Sequence, residues 1–323
     1  MKVLITGRIP DEGIRILGNE IEVTVNEFDR PMERDRILEM IKDKDGLLCM
    51  LNDRIDQELL ENAPDLKMIA NYAVGFDNID LDAVTARKIP VSNTPDVLTD
   101  ATADLAFALI LCLSRRVVEG DKVLREEGFH DWAPQFFLGR DVSGKTLGIV
   151  GFGRIGKAVA KRATGFDMKV IYYSRRRMGV SEEKRLNVEY SDLEELLSRA
   201  DFVSLHVPLN EETRHLVGKE ELNLMKKTSY LINTSRGPII DEKALVETLR
   251  SGNIAGAGLD VYENEPELSP GLGEMGNTVL IPHIGSATIE TRTKMAVRAA
   301  TNLLAGLRGE RPPDCLNWDF IRK

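Results

Sequence analysis

Residues 146–163, TLGIVGFGRIGKAVAKRA, restrict the fold more than any other stretch. An apolar run ends at Gly151, and Gly151, Gly153 and Gly156 stand in G-x-G-x-x-G spacing ahead of a helical pattern. The spacing alone is weak, but a strand before it and a helix after it are the context a dinucleotide-binding turn requires. Gly151 permits the tight turn, Gly153 lets backbone approach a pyrophosphate, and Gly156 lets helix and strand pack closely. The helix N-terminus that follows offers free N–H groups and partial positive charge to phosphate.

From residue 145 onward, apolar runs and helical patterns alternate. The runs predict strands at 146–150, 169–173, 202–206, 230–234, 255–260 and 278–281. Six strands with helical crossovers suit a doubly wound dinucleotide-binding sheet. SDLEELLSRA predicts a capping box with Ser191 at N-cap and Glu194 at N3. DEKALVETLRSG predicts a helix from a capping Asp241 to Gly252. Before residue 98 a shorter series, KVLIT, EVTVN, GLLCML and LKMIAN, repeats the same alternation and predicts a second parallel sheet. Between the two series, Thr99 or Asp100 caps a long helix expected to run to about Arg125, followed by an extended connection over 127–145. Residues 290–309 read as one amphipathic helix and 310–323 as an irregular tail.

A length of 323 residues exceeds what one core usually supports, so two domains are expected. The net charge of −9 opposes a general nucleic-acid or anionic-membrane surface. Cys49, Cys112 and Cys315 are few and far apart, so neither a disulfide framework nor a metal site is expected. No secretory hydrophobic region opens the chain, and the longest apolar stretch, LAFALILCL, is too short to span a bilayer; a cytoplasmic setting follows as an expectation.

The ribose-recognition position lies at the end of the second strand of the sheet, about 20 residues past the glycines. After KVIYY that residue is Ser174, followed by Arg175, Arg176 and Arg177. A carboxylate there would repel a 2'-phosphate; Ser174 cannot, and Arg175 and Arg176 can bond one with charge assistance. NADP(H) is therefore expected in preference to NAD(H). Arg177 is read as a solvated turn residue. The other strand ends carry HVP (206–208), TSRG (234–237), DVYENEP (260–266) and PHIG (282–285), all aimed at the edge where such sheets bind ligands. Arginine can grip a carboxylate bidentately, and histidine can exchange a proton near neutral pH. Arg236, Glu265 and His283 therefore suit carbonyl reduction beside a nicotinamide. His130 and His215 are read as ordinary polar residues; His206 either lines the cofactor site or is structural.

With these motifs in this order, VGFDNID (74–80), GIVGFGRIG (148–156), NTSRGPIIDEKAL (233–245), GLDVYENEP (258–266) and IPHIGSAT (281–288), the chain resembles the D-isomer-specific 2-hydroxyacid dehydrogenases. The resemblance runs essentially end to end. It implies two doubly wound parallel-sheet domains, a flavodoxin-like substrate domain (1–98 and 287–323) and a Rossmann dinucleotide-binding domain (99–286), with the active site in the cleft between them. It implies that Arg236 binds the substrate carboxylate with help from the backbone N–H groups of Val74 and Gly75. Glu265 would pair with His283, the proton donor in the reductive direction. Cofactor contacts would come from Gly151, Phe152, Gly153, Arg154, Ile155, Gly156, Ser174, Arg175, Arg176, His206, Val207, Pro208, Thr234, Ser235, Arg236, Asp260, His283 and Gly285, with Asp260 near the nicotinamide carboxamide.

NTPDVLTDATADLA and DWAPQFFLGRD resemble the glyoxylate/hydroxypyruvate reductase branch. That branch implies NADPH, or NADH as the alternative, reducing glyoxylate or hydroxypyruvate to glycolate or D-glycerate. It also implies a homodimer in which Trp132 either reaches the partner's substrate site or packs at the interface. The rivals are a short phosphoglycerate dehydrogenase and a nucleotide-sensing corepressor-like protein. Formate dehydrogenases of this fold carry glutamine where Glu265 stands, and long phosphoglycerate dehydrogenases carry a regulatory domain that is not expected here.

Overall fold

The computed structural model describes residues 1–129 and 131–321; His130 lies outside the described residues. The chain separates into two compact units, Met1–Leu98 with Ser286–Lys323, and Thr99–Gly285. Among the described residues no helix is long and apolar enough to cross a membrane.

The first unit holds five parallel strands: β1 (Lys2–Ile5), β2 (Glu22–Val25), β3 (Gly46–Cys49), β4 (Met68–Asn71) and β5 (Val91–Ser92). Their spatial order is β2-β1-β3-β4-β5, the order of flavodoxin-like folds. β5 has only two residues and is not among the runs the sequence pattern picks out. β3 and β4 are fully buried, as expected of strands covered on both faces. The helix Ile289–Leu307, capped by the Thr288 side chain on the Thr291 N–H, packs on β3 and β4. The tail is not wholly irregular: Cys315 bridges Ser92, and Trp318–Ile321 is helical.

The second unit holds seven parallel strands: β6 (Thr146–Val150), β7 (Lys169–Tyr173), β8 (Val188–Tyr190), β9 (Phe202–Leu205), β10 (Tyr230–Asn233), β11 (Gly256–Leu259) and β12 (Thr278–Leu280). The order β12-β11-β10-β9-β6-β7-β8 is doubly wound, with its switch point between β6 and β9. Side chains alternate between two cores, as a period of two requires. Leu147, Ile149, Tyr172, Phe202 and Ile232 enter one core, and Val150, Ile171, Val203, Leu205 and Leu231 the other.

Three local expectations are corrected. The long helix is two, Thr99–Ser114 and Val117–Glu126, broken where Arg116 turns left-handed at φ 55°. The Ser114 carbonyl accepts from the Arg140 N–H at 2.7 Å, a tertiary bond that holds the break. The cap of Leu193–Arg199 is Asp192, not Ser191: the Asp192 side chain accepts from the Glu195 N–H at 2.8 Å, while the Ser191 hydroxyl donates to the Glu195 carboxylate at 3.0 Å. The seventh strand, β8, has only three residues and carries no apolar run to announce it.

Candidate active site

The glycine turn comes first. Gly151 follows β6 with φ +95°, and a Cβ there would stand 2.6 Å from the His206 carbonyl at the end of β9. A Cβ on Gly156 would overlap the Gly151 carbonyl. Both positions therefore require glycine, one for conformation and one for close approach. A Cβ on Gly153 would meet nothing within 4 Å. Gly153 is the N-cap of Arg154–Ala163, and no side chain caps that helix. Open space above the first N–H groups of a ten-residue helix fits a phosphate. Phe152 is buried against Tyr172, with ring centroids 4.3 Å apart.

At the end of β7, the Ser174 hydroxyl donates to the Arg176 carbonyl at 2.7 Å, which shapes the turn. Arg175 and Arg176 are exposed. Arg177 is exposed, as expected of a turn residue, but it is paired as well. Its guanidinium grips both Glu183 oxygens at 2.8 and 2.9 Å and lies over the Tyr190 ring. Glu183 is buried and also accepts from the Tyr172 hydroxyl at 2.8 Å. These bonds to Arg177 and Tyr172 pull its pKa down to about 2.

His206 follows β9, and its Nε2 meets the Ser204 hydroxyl at 2.8 Å. Burial lowers its pKa to about 3, so the ring is neutral and suited to a structural place. Val207 and Pro208 continue the same edge. At the end of β10, Asn233 organises the next loop. Its Oδ1 accepts from the Ser235 N–H and hydroxyl, and its Nδ2 donates to the Arg236 carbonyl at 2.8 Å. Thr234 Oγ1 is buried with no partner among the described residues, an orphaned donor that a bound molecule could satisfy. Arg236 is half-buried, and its Nη1 donates to the Ser235 carbonyl.

The segments after β11 and β12 bring Glu265 and His283, the pair expected from the sequence, together. His283 Nδ1 meets Glu265 Oε2 at 2.9 Å, and the other Glu265 oxygen accepts from the Tyr262 N–H at 3.0 Å. His283 has φ 50°, and its N–H donates to the Asp260 carbonyl at 2.9 Å. The buried Asp260 carboxylate accepts from the Ile284 and Gly285 N–H groups at 2.6 and 2.8 Å, fixing the loop that carries His283. Burial raises the Asp260 pKa despite those bonds. For Glu265 the balance is reversed: burial pushes it up, but His283, the Tyr262 N–H and the charge of Arg236 bring it below the usual carboxylate value. Arg236, Glu265 and His283 thus stand together electrostatically, at the same strand ends as the glycine turn.

In the first unit, Val74 and Gly75 follow β4. Their carbonyls accept from the Asn93 and Asn71 amides at 2.7 and 2.8 Å. Sequence reasoning did not single out Asn71, Asn93, Asn233 or Tyr262. Asn233 lay inside a quoted motif, and its position two residues before Ser235 was the available signal. Trp132 is 72% exposed within a run of exposed apolar residues that includes Phe129, Phe136 and Leu138. His215, read as ordinary, pairs with Glu263 at 2.6 Å.

The chain is similar to known proteins over almost its whole length. The profile of the "D-isomer specific 2-hydroxyacid dehydrogenase, NAD binding domain" matches residues 107–285. A glyoxylate reductase of Pyrococcus furiosus is 53% identical over 99% of this chain and 96% of its own length. A crystal structure of a Thermus thermophilus protein superposes with TM-score 0.90 at 45% identity, covering 98% of this chain and 100% of that one. An NADPH-dependent glyoxylate/hydroxypyruvate reductase from Sinorhizobium meliloti, solved with NADP and malonate, gives TM-score 0.85 at 31% identity, covering 98% and 96%.

Proposed function

The chain belongs to the D-isomer specific 2-hydroxyacid dehydrogenase family, glyoxylate reductase branch, and is an oxidoreductase; from that premise we propose that it reduces glyoxylate or hydroxypyruvate with NADPH. The observation that carries the reading is the His283–Glu265 pair beside Arg236, at the strand ends that also hold the glycine turn. The names of its relatives, glyoxylate reductases at about half identity over the full chain, support the substrate class.

A reduced nicotinamide, when bound, supplies hydride to the substrate carbonyl carbon. The N–H groups following Gly153 would hold the phosphates of the cofactor, and Arg175 and Arg176 would hold a 2'-phosphate. Arg236 grips the substrate carboxylate and so orients the carbonyl. Glu265 occupies His283 Nδ1, which leaves Nε2 to deliver a proton to the forming alkoxide. The ring that donates carries protons on both nitrogens; loss of the Nε2 proton leaves the Nδ1–H tautomer, still bonded to the Glu265 carboxylate. Tyr262 and Asp260 hold the two loops in register through backbone bonds. We further propose a homodimer through the apolar run around Trp132; molar mass in solution checks it, and a monomer would remove it.

The test is a panel of initial rates with glyoxylate, hydroxypyruvate, pyruvate and 3-phosphohydroxypyruvate, each with NADPH and NADH. The expected result is the highest kcat/KM for one of the first two, with NADPH ahead. Preference for the phosphorylated acid would move the enzyme to the phosphoglycerate branch. No turnover with any acid would overturn the reading.

A further inference from the structure

We propose that Glu212 sets how strongly this protein discriminates NADPH from NADH, by competing with the cofactor 2'-phosphate for Arg175. The inference deepens the NADPH reading above and rests on it. Arg175 Nη1 donates to Glu212 Oε2 at 2.6 Å, across 37 positions of sequence. Glu212 belongs to the loop after β9, a different element from the arginine turn after β7.

The position of Glu212 is built, not incidental. The loop is closed by reciprocal bonds: the Asn210 N–H donates to Thr213 Oγ1 at 2.9 Å, and the Thr213 N–H to Asn210 Oδ1 at 3.0 Å. The Thr213 hydroxyl donates to the Pro208 carbonyl at 2.6 Å, and Thr213 itself is buried. A loop tied this way to the end of β9 carries Glu212 to the arginine turn. The three arginines are therefore not equivalent. Arg177 is committed to Glu183. Arg176 is exposed. Arg175 must exchange one exposed anion for another.

Charge gives the direction of the effect. The side chains of Arg175 and Glu212 are 71% and 68% exposed, so their mutual attraction is weak and readily exchanged. A phosphate monoester carries a charge of about −1.5 to −2 at neutral pH. Any 2'-phosphate bonded to Arg175 lies within a guanidinium's width of the Glu212 carboxylate, and the two repel. A 2'-hydroxyl carries no charge and can donate to that carboxylate. Glu212 thus penalises NADPH and spares NADH.

The experiment measures dissociation constants of NADPH and NADH by the fluorescence of the bound nicotinamide, for the wild type, Glu212→Gln, Arg175→Ala and the double variant. Glutamine keeps the reach of the side chain and removes its charge. Glu212→Gln should tighten NADPH by about three- to tenfold, leave NADH within about twofold, and lose most of that gain at high salt. In the Arg175→Ala background the gain should vanish, because the shared partner is gone. Unchanged or weaker NADPH binding in Glu212→Gln, with NADPH weakened by Arg175→Ala, overturns the role of Glu212 and leaves Arg175 as the phosphate ligand. If Arg175→Ala leaves NADPH binding unaltered, the Arg175 reading itself fails, and the proposal fails with it.

Discussion

Two regions on the same edge of the seven-stranded sheet are built by opposite rules. At the ends of β11 and β12, backbone groups hold every element of the acid–base pair. The Tyr262 N–H fixes Glu265, the Asp260 carbonyl fixes His283, and the Asp260 carboxylate fixes the loop beyond it. At the end of β7, Arg175 and Arg176 are exposed; Arg175 meets only the equally exposed Glu212, whereas Arg177 grips the buried Glu183. Proton transfer demands geometry good to a fraction of an ångström, and rigid backbone supplies it. A phosphate can be held by long, exposed side chains, because charge acts over distance. The difference teaches where variation is tolerated: cofactor choice can change at the β7 edge without disturbing chemistry at β11 and β12.

The comparison breaks first if the rigid region proves dispensable. His283→Ala should lower kcat by about a hundred- to ten-thousandfold, while NADPH binding stays within about twofold. Glu265→Gln keeps the shape and removes the charge, and should cost less, about tenfold or more. Steady-state rates and fluorescence titration together read both. Near-normal turnover in His283→Ala would remove the proton-donor assignment. A parallel loss of cofactor affinity would mean that the pair is structural.

Much of this was legible in the chain. The doubly wound sheets followed from apolar runs broken by helical patterns, and the strand ends followed from the runs. Gly156 was legible because its constraint, the Gly151 carbonyl, lies within one turn; at Gly151 the positive φ is local, while the close His206 carbonyl comes from β9. The break after Ser114 was not, because the carbonyl there is claimed by Arg140, far along the chain. Asp192, one residue on, is the cap in place of Ser191, whose hydroxyl goes to the Glu195 carboxylate. Arg177 looked like its neighbours in sequence, and only the placement of Glu183 and Tyr190 on the following helix and strand separates it from them. Local chemistry is readable from residue order; partners supplied by other elements are not.

The anchored arginine gives the smallest expected effect and the sharpest contrast with Arg175. Arg177→Ala removes the partner that grips both oxygens of Glu183 and leaves a buried carboxylate with the Tyr172 hydroxyl. It should lower Tm by a few degrees near neutral pH, whereas Arg175→Ala, which breaks an exposed pair, should leave Tm nearly unchanged. The pH dependence has a fixed sign. The folded-state pKa of Glu183, about 2, lies below its ordinary value of 4.5. Its stabilising contribution is therefore complete above pH 4.5 and is lost as pH falls through about 2. The Tm gap between wild type and Arg177→Ala should accordingly be constant from neutral pH down to the upper limit of that window, then close as the carboxylate protonates. Thermal melts across that range measure it. A gap that persists unchanged at the acid end would mean that the guanidinium stabilises the turn through Tyr190 alone, and not through the ion pair.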